Sequence, residues 1–533
     1  MSGVPAPARP ESRLPVGTSA TSATAAQATA AAPGGTAADG SPAPGGGSAP
    51  ATSGAAGTVN GGVSFWYSAI GLPEPRPALD GPAEADVCIV GGGFTGLWTA
   101  YYLKRADPGL RVTVLERRFC GYGASGRNGG WLYSGFAGRG VFARRYGREA
   151  AVGLQQAMNA AVDEVIRVAG SEGIEADIVK GGVLEVARNP AQLARLRAFV
   201  EEEHAFGQDE QELLGAAEST ARIGVAGTLG GSWSPHGARI QPAKLMRGLA
   251  RVCEALGVVI HEDTPVTAIM PAGSGSGTGR GGRARALTPY GAVSARFVLR
   301  ATEGFTAGLR GERRTWLPMN SSMIVTEPLP PAFWAEAGWA GRETLGDMAH
   351  AYMYAQRTAD DRIALGGRGV PYRFGSRVDH DGATRQRTVD QLREILLRFF
   401  PAAGAYVGPR GGLAHAWSGV LGVPRDWCST VELDPASGLG WAGGYVGSGV
   451  TTTNLAARTL RDLVLRADGA DASELTALPW VGHAVRRWEP EPLRWIGVHG
   501  MYAAYHAADR QESGGRADTS PIARAADVVS GRH

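Results

Sequence analysis

With 533 residues and a formal charge of +3, the chain is long enough for two domains around a large core, and its near balance of charge demands neither nucleic acid nor an acidic membrane surface. Four scattered cysteines, none in a C-x-x-C pair, indicate neither a zinc site nor a disulfide framework and suit a reducing cytoplasm. No apolar run reaches the ~18 residues of a membrane span, and the amino terminus has neither a twin arginine nor an apolar signal core.

Residues 1–62 are almost entirely Ala, Gly, Pro, Ser and Thr, which cannot bury enough apolar area to offset the entropy of ordering, so a disordered tail is expected. Ser64-Phe65-Trp66-Tyr67 is the first apolar anchor. Val87, Cys88, Ile89 and Val90 then form the short apolar run required of a strand buried on both faces of a parallel sheet. Gly91, Gly93 and Gly96 follow as G-x-G-x-x-G, and residues 94–104 turn helical, with Leu97, Ala100, Tyr101 and Leu103 three and four apart. The first glycine permits the tight turn, the second lets a pyrophosphate approach the backbone, and the third lets helix and strand pack closely. The N–H groups of the helix's first turn, Thr95 among them, then point at phosphate. A second strand over 111–115 delivers Glu116, with Arg117 beside it, twenty residues past Gly96. An acidic side chain there accepts from the ribose hydroxyls of an adenosine. Strand, glycines, helix, strand and acid in this order indicate a bound dinucleotide. Gly277, Gly279 and Gly282 also fit the formula, but no helical periodicity follows them, so they read as a loop between strands.

Residues 121–131, GYGASGRNGGW, are too glycine-rich for a regular element. Their small residues let backbone N–H groups converge on a second phosphate or a flat ring, and Ser125, Arg127 and Asn128 add donors. Residues 144–170 read as helix, 175–186 as strand, turn and strand, and 190–206 as an amphipathic helix. A strong helix over 243–256 ends at Gly257, and strands follow at 258–261, 266–269 and 297–301, as if a dinucleotide domain resumed after an insertion. Between about 310 and 425 the pattern is strands with turns, interrupted by one helix over 388–400. Finally a strand over 438–445 runs through Gly447 and Gly449 into a helix over 451–466, whose first turn offers partial positive charge to an anion. The expected fold is α/β. A Rossmann-like domain is assembled from 63–145, 235–310 and 426–470, a mostly antiparallel substrate domain from 146–234 and 311–425, and residues 471–533 form a C-terminal extension.

These pieces resemble the D-amino-acid oxidase and glycine oxidase superfamily of flavoproteins, most closely its gamma-glutamylputrescine oxidase-like branch. The resemblance rests on VGGGFTGLWTAYYL, ASGRNGG at 124–130, HGARIQPAKLMRGLA at 236–250, GGYVGSGVTTTNLAARTLRDLV at 443–464 and WEPEPLRW at 488–495. It implies that the dinucleotide is FAD, with Glu116 on the adenosine ribose, Gly91 to Gly96 on the pyrophosphate and the Val266 backbone against the adenine. Ser125, Gly126, Arg127, Asn128, Gly129 and Gly130 would line the pyrophosphate and flavin. Gly447, Gly449, Val450 and Thr451 would face the pyrimidine end of the isoalloxazine. It further implies transfer of a hydride from the carbon next to nitrogen of a small-molecule amine or amino acid, hydrolysis of the resulting imine, and reoxidation by oxygen.

Candidates for the substrate site come from the second domain: Tyr354, Arg357, Arg368, Trp417 and Arg425. An arginine takes a carboxylate bidentately, and the aromatic rings wall an apolar or cationic amine. The alternatives are surface or ion-pair roles for the arginines and a core role for Trp417. Relatives that speed reaction with oxygen through a lysine have no counterpart here, because Lys104, Lys180 and Lys244 are the only lysines and none follows position 244. That leaves two alternatives, an arginine in the lysine's place or an acceptor other than oxygen. No covalent-attachment motif surrounds Cys428, and Cys88 reads as a small core residue. The competing classes are a pyridine-nucleotide flavoprotein, which needs a second nucleotide fingerprint or a redox C-x-x-C that the sequence lacks, and a protein holding FAD without turnover.

Overall fold

The apolar run 87–90 sits at the centre of an eight-stranded sheet. In the computed structural model, which describes residues 57–273, 282–368, 371–378, 381–409 and 411–531, the strand Ala83–Val90 lies between Val112–Leu115 and Gly291–Arg300, parallel to both. Val259–His261 extends the parallel run beyond Val112–Leu115, and Leu439–Gly443 extends it beyond Gly291–Arg300. Ala268–Met270, Ala284–Thr288 and Thr430–Asp434 add antiparallel edges. Val87 and Ile89 pack in the cluster formed with Leu97, Leu249 and Leu455. Cys88 and Val90 face the other way, against Leu79, Ala286 and Val298. Burial on both faces is why this strand has no polar alternation. The helices Phe94–Ala106, Pro242–Ala255 and Gly449–Ala467 form the layer on the first of these faces.

A nine-stranded, mostly antiparallel sheet stands over the carboxyl ends of those strands, built around Leu317–Thr326 and Leu413–Val423 with Ile363–Arg368, Tyr354–Arg357, Thr344–Asp347 and Val183–Ala187 in succession. The helix Gln386–Phe399 packs Leu392, Ile395 and Leu396 on its outer face, against Ile324, Leu345 and Leu365. The C-terminal helices Leu493–Ser513 and Pro521–Ser530 are pinned to this half by Glu512, which pairs with Arg195 at 2.8 Å. Among the described residues, no helix is long and apolar enough to cross a membrane.

Three expectations need correction. Val59–Asn60, inside the stretch assigned to the tail, is a short strand paired in parallel with His415 and Ala416, because this strand edge still has free backbone groups to offer. Residues 1–56 lie outside the described structure. Residues 144–170 are two helices, Arg139–Tyr146 and Arg148–Ser171, broken at Gly147. Of the strand pair expected over 175–186, only Val183–Ala187 is a strand, since the preceding chain crosses to Arg239 through a single bridge at Val179 instead of folding back on itself. Gly277 and Gly279 lie outside the described residues, between the antiparallel neighbours Ala268–Met270 and Ala284–Thr288.

Candidate cofactor and substrate site

The three glycines of the first turn differ in what their missing side chains make possible. Gly91 has φ +112°, and a Cβ there would lie 2.5 Å from the Ala301 carbonyl oxygen, so the turn excludes any side chain. A Cβ on Gly96 would lie 2.0 Å from the Gly91 carbonyl oxygen, so its absence is what lets the helix press onto the strand. Gly93 is different. A Cβ there would meet only the Ser125 side chain, whose Oγ stands at 2.9 Å. The space in front of Gly93 is a cavity of about 480 Å³. Its walls come from the strand ends Val90, Leu115 and Ala301 and from the helix starts Phe94 and Thr95. Gly447, Gly449 and Val450 close it from the second glycine turn. Two helix N-termini therefore open on one cavity at the carboxyl edge of a parallel sheet, where α/β proteins hold anionic ligands.

Glu116 lines this cavity, with Oε2 accepting from the Gly92 N–H at 2.7 Å and Oε1 from the Arg118 N–H at 3.0 Å. Burial holds its carboxyl above the usual carboxylate range. Each oxygen keeps a lone pair for a ribose hydroxyl. Val266 is on the same wall and Arg117 is exposed at the rim.

A second carboxylate, Glu303, also faces the cavity and was not among the sequence candidates. Its Oε1 accepts from the N–H groups of Gly422 (3.0 Å) and Tyr445 (3.2 Å), and its Oε2 from Gly444 (2.8 Å). Burial raises its pKa to about 7 in spite of those three donors. Glu303 thus ties the long strand Leu413–Val423 of the second sheet to the glycine turn before the Gly449–Ala467 helix. The signal for it was its place just past the end of the Gly291–Arg300 strand, the edge at which such sheets bind ligands. Tyr445, held by Glu303 through its backbone, places its hydroxyl 3.1 Å from Thr95 Oγ1 on the cavity wall.

The loop 124–130 is fixed from outside. Ser125 Oγ accepts from the Phe94 N–H at 2.9 Å, and Asn128 folds on itself, its amide donating to Ser125 O and its Oδ1 accepting from the Gly130 N–H. The buried Arg127 donates to Tyr122 O at 2.7 Å and stacks its guanidinium over the Tyr122 ring at 4.3 Å. Gly126 and Gly130 admit close neighbours: a Cβ would meet the Tyr67 ring at 2.4 Å in the first and Gln356 Nε2 at 1.9 Å in the second. Thr451 is buried beside Val450 with its hydroxyl unpaired, off the cavity wall.

A smaller chamber of about 60 Å³ adjoins the large cavity, sharing Ala124, Asn128, Leu421, Gly447 and Val450 with it. Its far side is Trp131, Tyr133, Ser321, Tyr352 and Tyr354, and Gly129 lies on its floor. Tyr354 donates to or accepts from Ser321 Oγ at 2.9 Å, and its ring is clamped between Gly129 and Gly366, where added Cβ atoms would lie 2.7 and 2.5 Å away. Burial pushes its phenol up to about 12, so it stays protonated.

Of the four substrate candidates whose side chains are described, Tyr354 alone lines this chamber. Arg357 turns away to Asp361 at 2.7 Å and over the Trp334 ring at 3.9 Å. Arg425 joins Glu489 at 3.1 Å and the Trp488 ring at the C-terminal segment. Both are structural because a carboxylate lies within reach in the fold. Trp417 is fully buried and donates Nε1–H to the Arg127 carbonyl at 2.8 Å, so it braces the loop from behind. The Arg368 side chain lies outside the described residues. Ser321 and Tyr352 were missed; Tyr352 stands two residues before Tyr354, a spacing that a strand reading puts on one face. Cys428 lines neither space, its thiol directed at the Gly138 carbonyl.

Residues 86–463 match the family described as "DAO: FAD dependent oxidoreductase". The chain belongs to that family. It is therefore an FAD-dependent oxidoreductase, and the open Gly93 face, the paired helix N-termini and Glu116 make a donor set suited to FAD. Among its relatives, the gamma-glutamylputrescine oxidoreductase of Escherichia coli is 29% identical over 78% of this chain and 92% of that protein. The probable oxidoreductase OrdL of Haemophilus influenzae is 27% identical over 76% of this chain and 88% of its own length. The solved glycine oxidase of Bacillus cereus covers 77% of this chain and 99% of its own, with a TM-score of 0.59 and 16% identity, a likeness of fold.

Proposed function

We propose that the protein oxidises the C–N bond of an amine or amino acid to an imine, which water hydrolyses, and that oxygen is the final acceptor, giving hydrogen peroxide. The observation that carries this reading is the small chamber that opens directly onto the cofactor cavity. Its walls are rings, phenols, one hydroxyl, the Asn128 amide and the permanently charged Arg127 guanidinium, with no carboxylate, imidazole or ammonium among the described residues that line it. Such a wall neither protonates nor deprotonates a substrate. It admits the neutral amine, excludes water and holds the reacting carbon in register, which is the contribution a hydride-transfer enzyme requires of its protein. The bound FAD supplies the two-electron acceptor. Tyr354, fixed by Ser321, offers the protonated hydroxyl that orients a substrate lone pair or carboxylate. The names of the relatives, a gamma-glutamylputrescine oxidoreductase and a glycine oxidase, support an amine or amino-acid donor.

One observation favours a second reading, a dehydrogenase with another electron acceptor. All three lysines are engaged elsewhere: Lys104 with the Leu110 carbonyl, Lys180 with Asp163 and Lys244 with Asp177. No ammonium reaches the cavity to draw oxygen chemistry to it. The four buried free thiols support a reducing compartment such as the cytoplasm.

The test is anaerobic mixing of the yellow protein with gamma-glutamylputrescine, putrescine, sarcosine, glycine and D- and L-amino acids, followed at ~450 nm, the flavin band. Bleaching by one of them supports the proposal, and return of colour with peroxide on admission of air supports oxygen. Bleaching that air does not reverse favours the dehydrogenase. A flavin that no amine bleaches argues for bound FAD without turnover.

A further inference from the structure

The reacting chamber does not end at its aromatic wall. Trp131, Tyr133 and Tyr352 have a second space behind them, a cavity of about 130 Å³ whose lining also includes Glu185, Asp347 and Gln208. Glu185 is the central residue of the Val183–Ala187 strand, whose neighbours Leu184 and Val186 are buried in the core on the opposite face. A carboxylate in the middle of so apolar a strand costs stability unless something answers its charge.

Nothing among the described residues does. Glu185 is half-buried on the cavity wall, and among the described residues no hydrogen bond or ion pair reaches its carboxylate. The cations on the same wall are committed: Arg139 to Glu203 at 2.5 Å, Arg195 to Glu512 at 2.8 Å, His236 to Glu210 at 2.9 Å and His350 to Glu512 at 2.8 Å. The group closest in charge is another carboxylate, Asp347, which accepts from the Met353 N–H at 2.9 Å. Burial and this like charge together push the Glu185 carboxyl well above the usual carboxylate range. The backbone makes room for this arrangement: opposite Glu185 in the sheet is Gly346, where a Cβ would lie 2.3 Å from Glu185 Oε2. Gln208, 6% exposed, lies on the same wall with its amide nitrogen unpaired, a second unanswered polar group.

We propose that this cavity is an extension of the reacting chamber that takes the far end of an elongated substrate, with Glu185 and Asp347 receiving a cationic group there. The inference rests on the amine-oxidase reading above and names its substrate class: amines with two ends, one oxidised beside Tyr354 and the other a protonated ammonium held behind Trp131 and Tyr133. A cation between the two carboxylates removes both their mutual repulsion and the cost of burying them. A monoamine of the same length leaves that cost in place.

The test pairs 1,6-diaminohexane with hexylamine on the FAD-loaded enzyme, measuring the anaerobic rate of flavin bleaching and, by calorimetry, binding. The expected result is a kcat/KM at least tenfold higher for the diamine, carried by KM. Glu185→Gln, which removes the charge at constant shape, should lower the diamine-to-monoamine ratio at least tenfold. Gly346→Ala, which keeps the charge and displaces the carboxylate, should lower it in the same direction. A ratio near one in the parent enzyme, or one that neither variant changes, overturns the inference and leaves the amine-oxidase reading standing. Diamine binding that depends on Glu185 without any bleaching overturns the oxidase reading and keeps the cation site. Neither bleaching nor Glu185-dependent binding overturns both.

Discussion

Replacing Gly93 by alanine separates the cofactor cradle from the fold around it. Gly93 has φ −86° and ψ −172°, a conformation alanine adopts without strain, so the substitution carries no backbone penalty. Its new methyl would stand 2.9 Å from Ser125 Oγ, the end of a side chain that can shift, and would otherwise project into the cavity. A pyrophosphate seated on this turn must then withdraw from the first-turn N–H groups. Losing two charge-assisted hydrogen bonds, each worth about 1.5–3 kcal/mol, raises the Kd for FAD by about two to four orders of magnitude. Two other glycines serve as controls. Gly96→Ala drives a methyl to 2.0 Å from the Gly91 carbonyl oxygen, which cannot move without separating helix from strand, so it should unfold the protein. Gly153→Ala meets nothing within 4 Å inside the Arg148–Ser171 helix and should raise stability by about 0.5–1 kcal/mol. The assay is FAD titration of the apoprotein by fluorescence quenching, beside thermal unfolding by circular dichroism. A folded Gly93→Ala protein that binds FAD within threefold of the parent would refute the placement of the pyrophosphate.

Trp417→Phe removes the donor to the buried Arg127 carbonyl and should cost about 2–4 kcal/mol, with weaker FAD binding because the loop 124–130 loses its brace; denaturant melts and the same titration check both. Glu303, with its pKa raised from 4.5 to about 7 in the folded state, binds its proton more tightly than in the unfolded chain. Its contribution to apoprotein stability is therefore complete below about pH 4.5 and lost as pH rises through about 7, and Glu303→Gln should flatten that part of a melting-temperature profile. Glu512 behaves in the opposite sense: lowered from 4.5 to about 2 by His350 and Arg195, which overcome its burial, it stabilises above pH 4.5 and loses that effect as pH falls towards 2. Glu512→Gln leaves Arg195 without its buried partner and should cost about 3–5 kcal/mol, read as early protease cleavage between the second sheet and the C-terminal helices.

The parts of this protein that could be read in the sequence are those whose chemistry is local. Strand, turn, helix and acid over residues 86–116 fall within one unit, and each glycine's task follows from its neighbours on the chain. The turn at 447–450 was legible for the same reason. Glu303 was not, since its three donors come from residues more than a hundred positions away and only sheet pairing brings them together. Arg357 and Arg425 looked like carboxylate receptors because an arginine's sequence context does not show whether an Asp or Glu will meet it; Asp361 and Glu489 do. Trp417 failed as a substrate wall for a related reason, since alternation puts it on one face of its strand without saying whether that face looks at the chamber or at Trp66 and Phe65. Val59–Asn60 was hidden by its setting, because a composition argument judges a segment by its average and two residues on a sheet edge escape it.

The most direct test of the central claim is the visible spectrum of the purified protein, followed by FAD titration after the cofactor is stripped. The account predicts a flavin spectrum, uptake of one FAD per chain, and loss of that uptake when Gly93 becomes alanine in a protein that still melts cooperatively. A colourless protein that takes up no FAD would contradict it.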